Sequence, residues 1–344
     1  MGNSRKMLTR NTYLLIVFSM LLALGFSGCS PRVYVSKPAT LHDIEESELE
    51  LLWMRRDVYV LQNDFDAQIS AGSGLLCLLG DIEYPPEKAI SCIEGISNEV
   101  QWQKAPGNAM GILVASDGVY VSYIGFSPGI DKYDHEGGLI WSRTLTGSGI
   151  IYFYHYNDSI ELFLHPERFL VLGAESEDEI ENIKGVEVIL KTSTEVFTKN
   201  AYLESKDLKS ENINWSFEIG NSIRLKPLFT DNYIFLRTGR VLGSALAVDR
   251  KTGDVLLNTE KNVISNVVYL PKTNQAVMLN ENGFLLAIDV LNGQQTKLVE
   301  FSNPPFVLNG DANVGGYELA FDEEQSILFV LLGDSRQLYA FLVK

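Results

Sequence analysis

Short apolar runs, each followed by a polar turn, recur along the chain from about residue 47. The clearest is the stretch 244–257, SALAVDRKTGDVLL. Alternating small and apolar side chains suit a pleated strand, while Asp249 and Thr252-Gly253 supply turn residues, with glycine free to adopt a positive φ. The pattern predicts a β-hairpin made of a strand over 244–248, a turn, and a returning strand from Val255.

Four other segments repeat this design. In each, an acidic residue closes the first strand of the hairpin, and a further position follows seven or eight residues later. The acidic residues are Glu94, Asp134, Asp207, Asp249 and Asp289, and the later positions are Trp102, Trp141, Trp215, Leu256 and Thr296. A period of about 41 residues, with one near-doubled interval between the second and third acidic residues, is typical of a repeat array. Four-stranded units of about this length are typical of propeller blades.

These residues resemble the PQQ-like (pyrroloquinoline-quinone-type) repeat, whose hairpins carry alanine-x-aspartate, threonine-glycine and then tryptophan. The matching residues are Ala247-Val248-Asp249 with Thr252-Gly253, Ala287-Ile288-Asp289 with Asn292-Gly293, and Asp134 with Gly137, Gly138 and Trp141. The resemblance implies an all-β fold, a β-propeller of four-stranded antiparallel blades in which tryptophans dock neighbouring blades. The alternative is that the tryptophans are ordinary members of a β core.

The number of units follows from the near-doubled interval, which contains enough apolar runs for two blades. We therefore predict seven blades; six with a long insertion is the alternative. The last repeat stops at Lys344 after a third strand, so its sheet lacks an outer strand. We predict that residues 48–56, ELELLWMRR, supply that strand and close the ring, because closure removes two open sheet edges. The blade-docking positions are then Trp53, Trp102, Trp141 and Trp215.

The N-terminus differs in kind from the rest of the chain. Three basic residues within 1–10 precede a largely apolar run over 13–26. At 14 residues this run is shorter than the about 20 that cross a bilayer, which favours a signal peptide. The segment 24–29, LGFSGC, resembles a bacterial lipobox, with Phe26 where that motif usually has leucine. An ordinary cleaved signal or an uncleaved anchor is the alternative.

The lipobox resemblance implies three segments. Residues 1–28 are a lipoprotein signal peptide, residues 29–46 are a tether lipidated at Cys29, and residues 47–344 are the propeller. Thr40 and Asp43 have the spacing of a helix cap, so we expect a short helix within the tether. The protein is then expected outside the cytoplasm, held at a bacterial membrane by its acyl chains.

The net charge of −16 excludes nucleic acid as a natural partner, because such a surface repels phosphate. Removal of residues 1–28 takes away basic but no acidic residues and makes the balance more negative. Basic protein surfaces or cations are compatible partners, although plain solubility also accounts for such a charge.

Cys77 and Cys92 are placed symmetrically about a turn at Pro85-Pro86. In a regular hairpin they face each other, so an oxidising compartment favours a disulfide between them. The alternative is a pair of buried thiols that act as small hydrophobes.

Chemistry is sparse in this sequence. The four histidines His42, His135, His155 and His165 show no metal-ligand spacing, and no phosphate loop or nucleophile motif is present. The acidic run 175–181 reads as a solvated loop; a calcium loop is the alternative, but the run lacks the regular spacing of such loops. Quinone-dependent dehydrogenases of the related fold use adjacent cysteines, which this chain lacks, so we expect the fold without a cofactor and without catalysis.

The resulting functional prediction is a membrane-anchored extracytoplasmic propeller that binds or scaffolds proteins, as a monomer within a larger complex. Lipoproteins of the PQQ-like type include a subunit of an outer-membrane protein assembly machinery. Alternatives are a ligand-binding or hydrolytic propeller with a polar pocket at the channel mouth, and a purely structural surface lipoprotein. A pocket of convergent carboxylates would favour an enzyme, and an apolar or aromatic patch would favour protein binding.

Overall fold

The chain is almost entirely β-structure wherever it is described. The computed structural model describes residues 40–42 and 48–344 except 61–68, 82–89, 106–108, 124–127, 146–149, 157–158, 165–167, 176–178, 185–187, 192–194, 200–201, 220–225, 239–242, 260–261 and 303–316. These residues belong to one compact unit. Within them, no helix is long and apolar enough to cross a membrane.

Three strands precede the first repeat, and the remaining strands form successive sheets. The leading strands are β1 (Thr40–His42), β2 (Leu49–Arg56) and β3 (Tyr59–Val60). Sheet 1 contains β4 (Ile69–Gly72), β5 (Leu75–Asp81), β6 (Ile90–Glu94) and β7 (Val100–Lys104); sheet 2 contains β8 (Ala109–Ala115), β9 (Gly118–Tyr123), β10 (Gly129–Tyr133) and β11 (Leu139–Thr144). Sheet 3 contains β12 (Ile150–Tyr156), β13 (Ser159–Leu164), β14 (Arg168–Gly173) and β15 (Glu179–Lys184); sheet 4 contains β16 (Val188–Lys191), β17 (Glu195–Lys199), β18 (Tyr202–Asp207) and β19 (Ile213–Glu218).

The C-terminal half continues the series. Sheet 5 contains β20 (Leu228–Phe229), β21 (Tyr233–Arg237), β22 (Ala245–Asp249) and β23 (Val255–Asn258); sheet 6 contains β24 (Val268–Leu270), β25 (Gln275–Leu279), β26 (Phe284–Asp289) and β27 (Gln295–Ser302). Sheet 7 contains β28 (Tyr317–Asp322), β29 (Ile327–Leu332) and β30 (Gln337–Val343), with a 3-10 turn at Gly333–Ser335 between the last two.

The described strands thus form seven antiparallel sheets, in each of which consecutive strands pair. Three pairings bring in the leading strands. β2 pairs with β30 as the outer strand of sheet 7, β1 pairs with β27 at the outer edge of sheet 6, and β3 pairs with β5. The segment predicted to supply the missing strand of the last repeat is therefore the one that lies beside β30.

Apolar side chains fill the spaces between neighbouring sheets. Buried clusters join sheet 1 to 2, 2 to 3, 4 to 5, 5 to 6, 6 to 7 and 7 to 1. Between sheets 3 and 4, β16 lies against β13 and β14. A middle strand is covered on both faces, so it reads as a continuous apolar run; all six residues of β29 (ILFVLL) are buried. On the outer strand β11, by contrast, Trp141 is buried, Arg143 is partly buried and the other four residues are exposed.

The repeated acidic residue is explained by the turn after the third strand. Oδ1 of Asp249 accepts hydrogen bonds from the backbone N–H groups of Lys251 and Thr252, and Asp207 and Asp289 make the equivalent pair of bonds. A short acidic side chain satisfies the otherwise unpaired donors of a tight turn. The acidic repeat is therefore a structural signal of hairpin turns.

Two sequence predictions were wrong in detail. Thr40–His42, where a helix was expected to begin, is instead the strand β1, whose backbone pairs with Ser302, Phe301 and Glu300; residues 43–47 lie outside the described residues. An open edge strand offers unpaired N–H and C=O groups that favour an extended chain over a short isolated helix. The acidic run 175–181 is not a loop throughout either, since Glu179 begins β15.

Candidate functional site

Each of the four tryptophans lies on the outer strand of a sheet and reaches the next sheet. The indole N–H donates to a backbone carbonyl in every case: Trp53 to Gly95 (2.7 Å), Trp102 to His135 (2.9 Å), Trp141 to Ala174 (3.0 Å) and Trp215 to Arg250 (2.8 Å). A buried indole N–H needs such a partner. The carbonyls all belong to the turn after the third strand of the next sheet, so each of the four side chains joins its own sheet to the next one in the same way.

Two of these tryptophans pack on glycines. Gly137 and Gly253 adopt φ values of +85° and +76°, and a methyl group built on them would lie 2.7 Å from Cγ of Trp102 and 2.8 Å from Cγ of Trp215. The corresponding Gly293 of sheet 6 has nothing within 4 Å of that position. Glycine is therefore required at positions 137 and 253 both by the adjacent indole ring and by the positive φ.

No indole packs on Gly293, because the outer strand of sheet 5 has no tryptophan at the corresponding position. Leu257 of β23 pairs with Ala247, just as Trp102 pairs with Cys92 and Trp215 pairs with Ser205. Leucine therefore stands where the other sheets have tryptophan. The prediction of Leu256 at this position was wrong, because the residue that pairs with Ala247 lies eight residues after Asp249, as Trp102 and Trp215 lie eight residues after their acidic residues.

A buried polar cluster lies where sheets 2 and 3 meet. Lys132 on β10 is 2% exposed, and its ammonium group lies 2.9 Å from Oδ2 of Asp117 and donates to the carbonyl of Ala174 at 3.0 Å. The Tyr120 hydroxyl donates to the same carboxylate oxygen at 2.7 Å, and Nε2 of His155 lies 3.1 Å from the other oxygen. Two sheets thus share one buried charge network.

The pKa values in this cluster are shifted by burial and by neighbouring groups. Burial opposes ionisation of Asp117, but hydrogen bonds from Lys132 and Tyr120 and the charges of His155 and Lys132 outweigh it, so the pKa of Asp117 is lowered. Burial, with the adjacent Asp117 carboxylate, raises the pKa of Tyr120. Asp117 is therefore ionised and Tyr120 neutral near pH 7, which suits a structural anchor.

The first strands of the sheets surround a central channel with a cavity of about 400 Å³. Among the described residues, the lining comes from β4, β8, β12, β24 and β28 and from residues around β20, and none comes from β16. Most of these side chains are apolar: Ile69, Ala71, Leu113, Val114, Ala115, Pro227, Leu228, Phe229, Val267, Val268, Leu319, Ala320 and Phe321. The channel is therefore a mainly apolar space.

The polar groups of the channel connect one sheet to another. The Val114 N–H donates to Oγ of Ser70, and the Ile69 N–H donates to Oε2 of Glu318. Asn266 makes a two-way hydrogen bond with the backbone of Leu319 in the next sheet. These contacts use the polar groups to hold the first strands together.

Tyr154 makes a connection of another kind. Its hydroxyl donates to the carbonyl of Pro227 at 3.1 Å, and its ring packs edge-on against Phe229. Sheets 3 and 5 are therefore in direct contact beside the channel, although sheet 4 lies between them in the sequence.

One end of the channel opens into a groove of about 610 Å³ between the first-strand turns of sheets 5, 6 and 7. Four residues belong to both spaces: Leu228, Phe229, Val268 and Phe321. The groove adds lining of its own, namely Pro271 and the polar residues Thr230, Asp231, Asn232, Tyr269 and Glu323. This groove, named here the mouth groove, combines aromatic rings with two carboxylates.

Cys77 and Cys92 face each other across β5 and β6 and are joined by a disulfide. Both are fully buried, in the cluster between sheets 1 and 2. Neither lines the channel or the mouth groove. The pair therefore acts on the stability of sheet 1.

The remaining predicted residues have mixed outcomes. Cys29, the apolar run 13–26 and His165 lie outside the described residues. His135 bonds the carbonyl of Ala115, and His42 lies on β1. Among the residues that the structure places, no three of His, Cys, Asp and Glu come together as a metal site would require.

Sequence reasoning did not find the Lys132 cluster or the mouth groove. A signal for the first was present: the residues that occupy the position of Lys132 in other repeats are small, namely Cys92, Ser205, Ala247 and Ala287. A lysine at this buried position needs a neighbouring anion to compensate its charge. The groove carries no comparable signal, because its residues come from three turns far apart in sequence.

Comparison with known proteins rests on structure alone. Neither a family model nor a curated protein matches this chain by sequence. The structure of BamB from Moraxella catarrhalis is similar, with 11% identity, a TM-score of 0.53, and 86% of this chain and 99% of that chain covered. The WD40 domain of Neurospora crassa Pan2 has 11% identity and a TM-score of 0.60, covering 87% and 97%. A chain of a mitotic checkpoint complex structure has 9% identity and a TM-score of 0.66, covering 86% and 96%.

The chain is a β-propeller. The predicted all-β propeller fold is confirmed. Identities this low establish the fold only, so membership of the PQQ-like family stays a prediction.

Proposed function

We propose that this protein is a membrane-anchored scaffold that binds another protein of the bacterial cell envelope. The observation that carries the proposal is the channel, whose lining is mainly apolar and whose polar groups join blade to blade. Catalysis needs polar groups that converge on a substrate. Among the described lining residues Glu318 is the one carboxylate, and it accepts a hydrogen bond from Ile69.

The fold also supports a binding role. Propellers present turns at the two ends of the channel, and such loops on a rigid scaffold are common binding surfaces. BamB and the WD40 domains share the architecture, which makes a protein partner reasonable. A quinone is not part of the proposal, since the disulfide-bonded Cys77 and Cys92 are buried between blades and lie off the channel lining.

We propose further that the seven sheets are seven blades of one ring, closed by β2. The support is the pairing of β2 with β30, together with two contacts to sheet 1. Trp53 donates to the carbonyl of Gly95, and the Arg55 guanidinium donates to Oδ1 and to the backbone carbonyl of Asn98. Both acceptors lie in the first repeat, so the N-terminal strand joins the last blade to the first.

Anchoring and location are proposed from the sequence. A lipidated Cys29 after a signal peptide at 1–28 would hold the propeller outside the cytoplasm. The disulfide between Cys77 and Cys92 agrees with an oxidising compartment. The alternative of a pocket enzyme would instead require carboxylates that converge on one bound substrate at the channel mouth.

Two measurements test the proposal in the native cells. Mass spectrometry of the N-terminal peptide should find acyl chains on Cys29, and Cys29→Ser should release the protein from the membrane fraction. Affinity purification after crosslinking should retain one reproducible envelope protein. An unmodified Cys29 would refute the anchor, and retention of no protein would refute the scaffold.

A further inference from the structure

We propose that the mouth groove is the partner site and that it receives an extended segment of the partner bearing lysine or arginine next to apolar side chains. This inference rests on the proposed scaffold function and names the chemistry of its partner. In the groove an apolar floor, aromatic rings and two carboxylates come together. Its volume of about 610 Å³ is in the range of ligand-binding clefts.

The charge of the groove favours a cationic occupant. Asp231 and Glu323 are exposed at its rim, and neither forms an ion pair with a basic group among the described residues. Two basic side chains lie near the groove and form no ion pair with either carboxylate: Lys272 donates to Oγ of Ser326 at 2.6 Å, and Arg250 donates to the backbone carbonyl of Thr230. The net charge of −16 adds a long-range attraction for basic segments.

The aromatic wall of the groove is held in place before any partner arrives. The Tyr269 ring stacks on Phe235 at 5.3 Å and meets Tyr233 edge-on at 5.6 Å, and its hydroxyl donates to Oδ1 of Asn274. Burial, with the nearby charges of Tyr233 and Glu323, raises the pKa of Tyr269. The Tyr269 ring is therefore fixed, neutral and close to a carboxylate, an arrangement that suits a guanidinium or ammonium group.

The turns that carry the carboxylates are also fixed. The Tyr233 N–H donates to Oγ1 of Thr230 and the Thr230 N–H donates back to the Tyr233 carbonyl, which closes the turn around Asp231. Oδ1 of Asp322 accepts from the backbone N–H groups of Glu324 and Gln325, which shapes the turn around Glu323. A preorganised site loses less entropy on binding, so a short segment can bind.

The apolar floor of the mouth groove favours a bound segment that has apolar side chains beside its basic residue. Leu228, Phe229, Val268 and Phe321 continue from the groove into the channel. A purely hydrophilic cation would leave this surface in contact with water, whereas a segment with aromatic or aliphatic side chains beside its basic residue covers it. The geometry therefore points to an amphipathic basic segment of a protein.

The test uses a fluorescein-labelled peptide, Gly-Phe-Arg-Leu-Lys-Phe-Gly, titrated with the purified protein by fluorescence polarisation. We expect saturable binding that weakens about tenfold when both basic residues of the peptide are glutamine, and again when both phenylalanines are serine. In the protein, Asp231→Asn with Glu323→Gln should weaken binding about fivefold to tenfold. The control Glu136→Gln, an exposed acid on a different blade, should leave binding unchanged.

A photo-crosslinking version of the peptide, with benzoylphenylalanine for one phenylalanine, locates the site directly. Crosslinks should fall on residues 228–232, 268–271 and 321–323. Binding that ignores the double substitution, equal binding of a peptide with glutamate at the basic positions, or crosslinks elsewhere would overturn the groove inference. The scaffold function fails separately, if no envelope protein is retained in cells.

Discussion

Replacing Gly137 with alanine tests the docking of one blade on the next. At φ +85° an alanine adopts the left-handed region, which costs about 1 kcal/mol, and its methyl group lies 2.7 Å from the Trp102 indole. Forcing extra volume into a packed contact costs about 1–3 kcal/mol. The indole must also move away from the carbonyl of His135. We expect Gly137→Ala to lower the free energy of unfolding by about 2–4 kcal/mol.

The same fold contains a matched control. Gly293 occupies the corresponding turn with φ +69° and has nothing within 4 Å of an added methyl group, because Leu257 replaces tryptophan on the preceding blade. Glu211 adopts φ +57° at the equivalent turn of the fourth blade, so a side chain is tolerated there. Gly293→Ala should therefore cost only about 1 kcal/mol.

Urea unfolding, followed by circular dichroism, measures both variants. A double-mutant cycle with Trp102→Leu isolates the contact, since the cost of Gly137→Ala should then fall to that of Gly293→Ala. If Gly137→Ala and Gly293→Ala are equally destabilising in the parent protein, the indole does not pack on that glycine, and the account of blade docking is wrong.

Three further predictions concern other contacts. Trp53→Phe removes one hydrogen bond between the last and first blades and should cost about 1 kcal/mol, with no loss if β2 does not dock there. Reduction of the Cys77–Cys92 disulfide, which spans 15 residues, should cost about 3 kcal/mol in urea unfolding, and the protein with both cysteines replaced by alanine should be insensitive to reductant. Lys132→Met breaks a buried ion pair and should cost about 3 kcal/mol at pH 7. The pKa of Asp117 is lowered in the folded state, so its ionised carboxylate adds to the free energy of unfolding above the unfolded-state pKa of about 3.9, and this contribution is lost as the pH falls below that value. Because Lys132 helps to lower this pKa, Lys132→Met should make the free energy of unfolding fall less between neutral and acidic pH.

The repeat could be predicted from the sequence because it follows local rules. The acidic residue marks the turn because its side chain binds the turn N–H groups. Trp102 and Trp215 each lie eight residues after that acidic residue, so this spacing alone predicted that they lie on outer strands. Leu257 was missed because the spacing is seven residues in one repeat and eight in others, and Leu256 and Leu257 are equally apolar. Thr40 was misjudged since its strand depends on a distant edge at Ser302.

The mouth groove was beyond sequence reasoning for a related reason. Asp231, Tyr269 and Glu323 lie on three blades, and each residue is ordinary in its own repeat. Only the ring geometry brings their turns to one end of the channel. Sites of this kind depend on long-range placement, which periodicity does not encode.

Site-specific photo-crosslinking in the native cells tests the central claim most directly. A photoreactive residue is placed, one variant at a time, in a turn of each blade, with position 231 in the mouth groove and position 136 on the second blade as the contrasting pair. We expect one envelope protein to be captured, strongly from position 231 and not from position 136. Capture of no protein from any blade would contradict the proposal that this propeller is a protein-binding scaffold.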